Sequence, residues 1–400
     1  MRRGFWVAGI LWVGSGPTLC RPVGHHVGFI LATAAEKFSF TQIAADGDAR
    51  RGVISTPRGS FQTPLFMPVG TRGTIKAVLA TQIADIGFEV ILGNTYHLML
   101  RPGAEVISSY GSLHSFVGWK KHMLTDSGGF QVMSLGAKYS ENGATFKSIY
   151  DGSSHSVTPE FAVELQELIG ADIQMALDVC TMLPAPRETI LEAMELTHRW
   201  AKRARNAKSR SDQALFGIVQ GGTELDLRIE SAKVIADLDF EGHAIGGLAV
   251  GEARGEMLAA LEGSLEHLPK QKVRYLMGVG DPIGMLESIA RGVDMFDCVA
   301  PSRIARHGQA MTFSGKMHMK NLKYQKDLDP IEMGCPCVAC QNFPRGLIRH
   351  LVSVGEPTGG SLLTLHNLTF MKRLIDGARD AIVDGSLRKL IGSIHDAWDN

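Results

Sequence analysis

Eight short apolar segments recur between residues 65 and 299, and amphipathic stretches with helical periodicity separate them. This alternation is typical of βαβ units, in which helices connect parallel strands. We predict the strands at Leu65–Val69, Val90–Gly93, His122–Thr125, Ile173–Leu177, Leu215–Val219, His243–Leu248, Arg274–Val279 and Met295–Val299. Eight such units favour a closed (β/α)8 TIM barrel, an α/β fold, although a doubly wound open sheet has the same local pattern.

One predicted helix is marked at both of its ends. Thr158 supplies a capping hydroxyl, Pro159 suits the first helical position, and Gly170 ends the helix. Two stretches interrupt the alternation. The segment from Ser134 to Val157 is rich in glycine and serine and fits a β-hairpin insertion, and a cysteine-rich segment follows Pro330.

The first 36 residues differ in character from the rest of the chain. Met1-Arg2-Arg3 and the apolar run from Phe5 to Val13 resemble a weak secretory signal. Gly9 interrupts this run, which is too short to span a bilayer, and no clean cleavage site follows it. We interpret residues 1–36 as a disordered extension or the product of a mis-chosen start codon, with genuine targeting as the alternative.

Polar residues follow the apolar part of most predicted strands. They are Asn94-Thr95-Tyr96-His97, Asp126-Ser127-Gly128-Gly129, Asp178-Val179-Cys180, Gln220-Gly221-Gly222, Gly246-Gly247-Leu248 and Asp297-Cys298. In a parallel barrel all of these strand ends face one rim, where active sites are built. Any single aspartate can instead be structural, and the glycine pairs can simply form tight turns. The convergence of all six groups predicts an active site.

Three carboxylates at one rim suggest a division of labour in chemistry at a glycosidic bond. A retaining exchange at a glycosidic bond needs one carboxylate to attack the anomeric carbon and a second to transfer protons. The candidates are Asp126, Asp178 and Asp297. The third can accept the N1–H and amino group of guanine. Gln220 and the backbone at Gly246-Gly247 can donate to the guanine oxygen.

A second cluster has the composition of a metal site. Cys335, Cys337 and Cys340 combine with His366 as a Cys3His set, which tetrahedral zinc prefers. All four ligands come from the protein, so we expect a structural rather than a catalytic zinc, and unmetallated cysteines are the poorer alternative. We therefore predict a barrel over residues 37–400 with an inserted or appended zinc-binding subdomain at about 315–370.

The chain carries 41 basic and 41 acidic residues, so nucleic acid can be held only by a local basic patch. Residues 301–326 contain no acidic residue and include Arg303, Arg306, Lys320 and Lys323. A run of this kind is often only a solvated face, but its place after Asp297 favours a phosphate track. The clustered cysteines indicate a reducing, cytoplasmic compartment.

Nine ordered motifs resemble the tRNA-guanine transglycosylase family from about Phe38 to the C-terminus. They are GNTYHLMLRPG (93–103), DSGGFQVMSL (126–135), MALDVCT (175–181), FGIVQGG (216–222), GGLAVGE (246–252), YLMGVG (275–280), MFDCV (295–299), GQAMT (308–312) and CPCVACQ with the later LHN. The one clear departure is Pro301–His307, where both arginines remain but the local backbone is in question.

The resemblance implies an exchange of the wobble guanine, position 34 of GUN-anticodon tRNAs, in queuosine biosynthesis. It implies Asp297 as nucleophile through a covalent tRNA intermediate and Asp126 as general acid/base. It places base binding at Asp126, Asp178, Cys180, Gln220, Gly246, Gly247 and Leu248, and one structural Zn2+ per subunit at Cys335, Cys337, Cys340 and His366. Cys180 with Val250 resembles the bacterial branch, whose incoming base is preQ1.

The same resemblance implies a homodimer that binds tRNA, guanine and preQ1, without a membrane and without a diffusible cofactor. Three alternatives remain open. The chain can be an archaeal-type enzyme that uses preQ0, a non-catalytic tRNA-binding partner subunit, or an unrelated zinc-stabilised barrel glycosidase. Retention of Asp126 and Asp297 disfavours the partner subunit.

Overall fold

The computed structural model describes residues 38–399, and the predicted extension at 1–36 lies outside them. The strands in this range are β1 Ser39–Asp46, β2 Ala49–Thr56, β3 Gly59–Thr63, β4 Leu65–Gly70, β5 Val90–Asn94, β6 His122–Asp126, β7 Lys138–Ser140, β8 Gly143–Lys147, β9 Ser154–Val157, β10 Ile173–Met175, β11 Ala214–Val219, β12 Gly242–Ile245, β13 Val273–Leu276, β14 Met295–Cys298, β15 Gln309–Thr312 and β16 Gly315–His318.

The helices alternate with these strands through most of the chain. They are α1 Ala80–Ile86, α2 Thr95–Leu100, α3 Ala104–Ser109, α4 Leu113–Val117, α5 Gly129–Ser134, α6 Pro159–Ile169, α7 Arg187–Ala207, α8 Leu225–Asp237, α9 Arg254–Leu265, α10 Pro282–Ile289, α11 Ala300–Arg306, α12 Val338–Asn342, α13 Arg345–Val354, α14 Pro357–Asp384 and α15 Leu387–Trp398, with a 3-10 turn at Leu322–Tyr324. No helix of residues 38–399 is long and apolar enough to cross a membrane.

The eight predicted strands form a closed parallel barrel in the order β4-β5-β6-β10-β11-β12-β13-β14. Pairing of β14 with β4, which sets Phe296 opposite Phe66, closes the ring. The prediction of a TIM barrel is therefore confirmed, and the open doubly wound sheet is excluded. Inward-facing residues such as Met67, Phe216 and Tyr275 fill the barrel interior.

Three predicted strands extend too far towards the rim. The structure ends them at Met175, Ile245 and Leu276 instead of at residues 177, 248 and 279. After β12 and β13 the chain cannot remain extended, because Gly247 has a φ of 64° and Gly278 a φ of 78°.

The chain before the barrel forms an antiparallel sheet, β1-β2-β3, which has no counterpart among the predicted strands. Ile54 of β2 and Phe61 of β3 belong to the same buried cluster as the inward-facing barrel residues. Arg50 of β2 donates through Nε to Asp294 Oδ1 at 2.8 Å, just before β14. This sheet therefore closes the amino-terminal end of the barrel.

Two local predictions have different outcomes. Helix α6 begins after Thr158, whose hydroxyl accepts the Phe161 N–H, and it ends at Gly170 as predicted. The predicted hairpin at Ser134–Val157 is a three-stranded antiparallel sheet, β7-β8-β9, because a third strand pairs with β8 after the turn at residues 148–153.

We predict that Arg50→Met lowers the free energy of unfolding by about 3–5 kcal/mol, because it leaves the Asp294 carboxylate buried without its ion partner. Arg51→Met is the matched control on the same strand. Its partner Asp380 is 74% exposed, so we expect a loss below about 1 kcal/mol. Urea unfolding followed by circular dichroism measures both, and equal losses would contradict the buried-pair argument.

Candidate functional site

Closure of the barrel brings the sequence-predicted rim residues to the carboxyl ends of its strands. Asp126 ends β6, Asp297 lies in β14, and Asp178 follows β10 by three residues. Gln220 follows β11 directly, and Gly246 and Gly247 follow β12. Parallel strands in a closed ring place all of these residues on one rim.

Asp297 is held through one of its two carboxylate oxygens. Its Oδ1 accepts the Tyr275 hydroxyl at 2.6 Å and the Gly278 N–H at 2.8 Å, whereas Oδ2 accepts no hydrogen bond from residues 38–399. Burial raises the pKa of Asp297, and both donors oppose that rise. The arrangement fixes the carboxylate in place and leaves one oxygen free to react.

Asp126 is surrounded by donors from the neighbouring strand end. The Asn94 side chain donates to Oδ2 at 2.7 Å, and the N–H groups of Thr95 and Gly128 donate to Oδ1 at 3.1 and 3.0 Å. Burial raises the pKa of Asp126 to about 7, and repulsion from Asp297 adds to the rise. A carboxyl group with this pKa can both donate and accept a proton near neutral pH.

Asp178 and Gln220, which follow the adjacent strands β10 and β11, form a hydrogen bond at the rim. The Gln220 side-chain amide donates to Asp178 Oδ2 at 2.7 Å, and both side chains are buried. Burial raises the pKa of Asp178 to about 6. The other carboxylate oxygen and the second amide hydrogen are left to contact a ligand.

Glycine is required where the rim segments touch these side chains. A Cβ on Gly247 would lie 2.2 Å from Gln220 Oε1, and a Cβ on Gly129 would lie 2.5 Å from Asp178 Oδ1. The close approach explains these two glycines better than turn formation alone does. Cys180 and Leu248 are also buried, and burial raises the pKa of the Cys180 thiol to about 12, so it is a neutral group.

Several contributing residues were not identified from sequence. Tyr275 and Gly278 hold Asp297, and the signal for them was present in the YLMGVG motif, whose glycines matched no nucleotide-binding pattern. Arg228 of α8, which is fully buried beneath the rim, gave no sequence signal, because a charged residue on an amphipathic helix is ordinarily exposed.

The predicted metal ligands lie together beside the barrel. The Nδ1 atom of His366 lies 3.7, 3.6 and 3.4 Å from the sulfur atoms of Cys335, Cys337 and Cys340. Ligands of a tetrahedral zinc, with bonds of about 2.1 Å to nitrogen and 2.3 Å to sulfur, are separated by about 3.6 Å. The His366 Nε2 atom contacts the Met311 carbonyl at 2.9 Å, as the outer nitrogen of a zinc-binding imidazole should. The four residues fit a zinc ion.

The predicted basic track lies on two segments after β14. Arg303 is exposed and Arg306 half-buried on α11, and the exposed Lys320 and Lys323 follow β16. None of the four forms an ion pair within residues 38–399, so their charges are available to an anion. The segment Pro301–His307, where the family pattern is broken, lies in and at the end of helix α11.

Comparisons with known proteins agree on one family. The profile of the queuine tRNA-ribosyltransferase family matches residues 46–400. The queuine tRNA-ribosyltransferase of Cereibacter sphaeroides is 48% identical over 365 residues, covering 90% of this chain and 97% of that protein. The enzymes of the same name from Rhizobium meliloti and Herpetosiphon aurantiacus are 48% and 51% identical, covering 91% and 86% of this chain and 97% and 89% of those proteins.

We predict that Asp126 makes the protein less stable as the pH rises from about 4 to 7. Its pKa is raised from 3.8 to about 7 on folding, so the folded state binds more protons in this window. Asp126→Asn removes this titration. The free energy of unfolding of the variant minus that of the wild type should therefore increase by about 1–3 kcal/mol from pH 5 to pH 8.

Urea unfolding at each pH measures this difference. Asp384→Asn replaces an exposed carboxylate on α14 and serves as the control. A difference for Asp126→Asn that does not change with pH would show that the carboxylate is not protonated in the folded protein near neutral pH.

Proposed function

This chain belongs to the queuine tRNA-ribosyltransferase family, whose members are tRNA-guanine transglycosylases, and we propose that it exchanges the wobble guanine of GUN-anticodon tRNAs for preQ1. The observation that carries the proposal is that two carboxylates lie at one rim and are held differently. Asp297 accepts hydrogen bonds through one oxygen only, whereas Asp126 accepts them through both. The reaction would serve queuosine biosynthesis, and it is a double displacement at C1′ of the ribose.

In the first displacement, Asp297 is the nucleophile. Its free Oδ2 forms a bond to C1′ while the bond from C1′ to N9 of guanine breaks and its electron pair passes to the base. The hydrogen bonds from Tyr275 and Gly278 to Oδ1 favour the ionised carboxylate that this attack requires. The product is a covalent ester between tRNA and Asp297.

Asp126 transfers the protons. Its raised pKa allows it to give a proton to the departing guanine and to take one from the incoming base. The incoming base then attacks C1′ and displaces the Asp297 carboxylate. Two inversions at the same carbon restore the original configuration.

Base recognition falls to the neighbouring buried groups. Asp178 accepts from the N1–H and amino group of the base, and the Gln220 amide with the backbone at Gly246, Gly247 and Leu248 contacts its carbonyl side. Cys180 and Val250 lie in segments that contribute to this pocket, and their identities match the bacterial branch that uses preQ1. A wobble base in a single-stranded loop enters such a pocket at low cost.

We assign the basic track to the anticodon stem-loop. Arg303 and Arg306 follow the nucleophile strand by a few residues, and Lys320 and Lys323 extend the positive surface from there. Arginines and lysines without acidic partners are suited to phosphate contacts. We further propose a homodimer that acts in the cytoplasm, on the strength of the family resemblance.

We propose that Cys335, Cys337, Cys340 and His366 hold one structural zinc ion in a subdomain at about 315–370 of the barrel chain 37–400. Bound there, zinc would cross-link the cysteine segment to helix α14. The four protein ligands leave no coordination position for substrate, so the ion takes no part in the exchange.

We predict that the purified protein incorporates radiolabelled guanine into an unmodified tRNA with a GUN anticodon, and that preQ1 competes with this incorporation. Asp297→Ala should lower the rate by at least about 10³-fold, because it removes the nucleophile. Denaturing gels of wild-type protein mixed with tRNA should show a covalent adduct that the variant lacks.

Asp384→Asn, on the far end of α14, is the matched carboxylate control and should exchange guanine at the wild-type rate. Binding of tRNA by the wild-type protein without any exchange would contradict the proposal and would favour a non-catalytic partner subunit. Exchange blocked by preQ0 but not by preQ1 would favour the archaeal-type substrate.

The proposed zinc site can be tested by metal analysis. Purified protein should contain about one zinc per chain by mass spectrometry, and Cys337→Ala should lose it together with several degrees of thermal stability. Cys298→Ala replaces a cysteine outside the cluster and should keep the zinc. Wild-type protein with well under one zinc per chain would rule out the metal site.

A further inference from the structure

Arg228 is a charged residue in a place where a charge is costly. It projects from α8 and has no exposed surface. Buried arginines usually face a carboxylate, but Arg228 forms no ion pair within residues 38–399. Burial lowers the pKa of its guanidinium to about 10, so the side chain is still charged at neutral pH. Such a cost calls for a structural or functional reason.

Backbone carbonyls take the place of a carboxylate around this guanidinium. Nε donates to the Gly222 carbonyl at 2.6 Å, and Nη1 donates to that of Val219 at 3.2 Å. On the next strand end, Nη1 donates to the Gly246 carbonyl at 2.8 Å and Nη2 to the Gly247 carbonyl at 3.2 Å. One side chain therefore fixes two consecutive peptide groups after β12.

The hydrogen bonds from Arg228 to the Gly246 and Gly247 carbonyls also determine the direction of the N–H group in each of these two peptides. In a trans peptide the N–H group points away from the carbonyl. With the carbonyls of Gly246 and Gly247 turned towards Arg228, the N–H groups of Gly247 and Leu248 are turned away from it. The Gly247 N–H donates to the Cys180 thiol, whose pKa the charge of Asp178 helps to raise, so this N–H is on the side of the proposed base-binding residues.

We propose that Arg228 is a positioning residue that aims the Gly247 and Leu248 N–H groups at the carbonyl oxygen of the purine. The inference rests on the proposed function, because it assigns the partner of those N–H groups. Arg228 itself does not touch the base.

The sequence around these peptides explains why a clamp is needed. Gly247 has a φ of 64°, and glycine rotates between backbone regions more freely than other residues. If either peptide turned over, a carbonyl oxygen would point into the pocket and repel the oxygen of guanine. The guanidinium, with donors fixed in one plane, holds both peptides in a way that a single ammonium group cannot.

The test compares two free bases, guanine and 2-aminopurine, which lacks both the carbonyl oxygen and the N1–H. Because the N1–H is lost in the same way with every variant, a change in the ratio of the two dissociation constants reports on the carbonyl oxygen. We expect Arg228→Met to weaken guanine binding by about 10- to 30-fold and 2-aminopurine binding by less than about threefold. Arg228→Lys should give an intermediate loss for guanine. Calorimetric titration of each folded variant measures both dissociation constants, and thermal melting confirms folding.

Arg274→Met is the matched control. Arg274 is also buried and also donates to backbone carbonyls, those of Leu265 and Leu268, but it lies at the amino-terminal end of β13. This variant should lose stability and keep the wild-type ratio of the two dissociation constants. A folded Arg228→Met protein that also keeps this ratio would overturn the proposal, whereas wild-type protein that fails to prefer guanine would overturn the proposed function itself.

A second measurement does not depend on the variant folding. In a crystal structure of wild-type protein with guanine, the purine oxygen should lie within about 3.2 Å of the Gly247 or Leu248 nitrogen while Arg228 keeps its contacts. Turned peptides, with the Gly246 and Gly247 carbonyls released from Arg228, would overturn the proposal.

Discussion

Pairing of β14 with β4 is the contact on which the other features of the molecule depend, because it turns eight parallel strands into a ring. Ring closure gathers the strand ends at one rim and removes water from them. Burial accordingly raises the pKa of Asp126, Asp178 and Asp297. The same desolvation that opposes folding thus raises the pKa of Asp126 to about 7, where a carboxyl group can transfer protons near neutral pH.

Local patterns in the sequence were enough to predict the barrel, helix α6 and the metal cluster. The barrel depends on a repeated period, and helix α6 and the three cysteines depend on residues that are close in sequence, whereas the fourth ligand, His366, lies 26 residues beyond Cys340. The strands of the sheet β1-β2-β3 were missed although two-residue turns join them, and only the contact of Arg50 with Asp294, which attaches the sheet to the barrel, spans 244 residues. Arg228 was missed for a different reason: its four carbonyl acceptors lie within 19 residues of it, but a charged residue on an amphipathic helix is ordinarily exposed.

Helix α14 connects the Cys3His cluster to the barrel rim that carries Asp297 through two adjacent residues. His366 faces the cysteines, and the next residue, Asn367, donates to the Pro301 carbonyl at 3.0 Å and accepts the Met311 N–H at 2.8 Å. Pro301 follows the β14 strand that carries Asp297. The Cys3His cluster is therefore part of the support for Asp297, although it lies outside the barrel.

The same helix reaches back to the start of the barrel. Arg379 donates to the Pro64 carbonyl at 2.7 Å and to the Gln62 carbonyl at 2.8 Å, across separations of 315 and 317 residues. During synthesis on the ribosome, β4 must wait for β14 and then for α14 before its edge is covered. The ring therefore cannot close until β14 has been synthesised, and until then β4 has an open strand edge, which is a site where unfolded chains can associate.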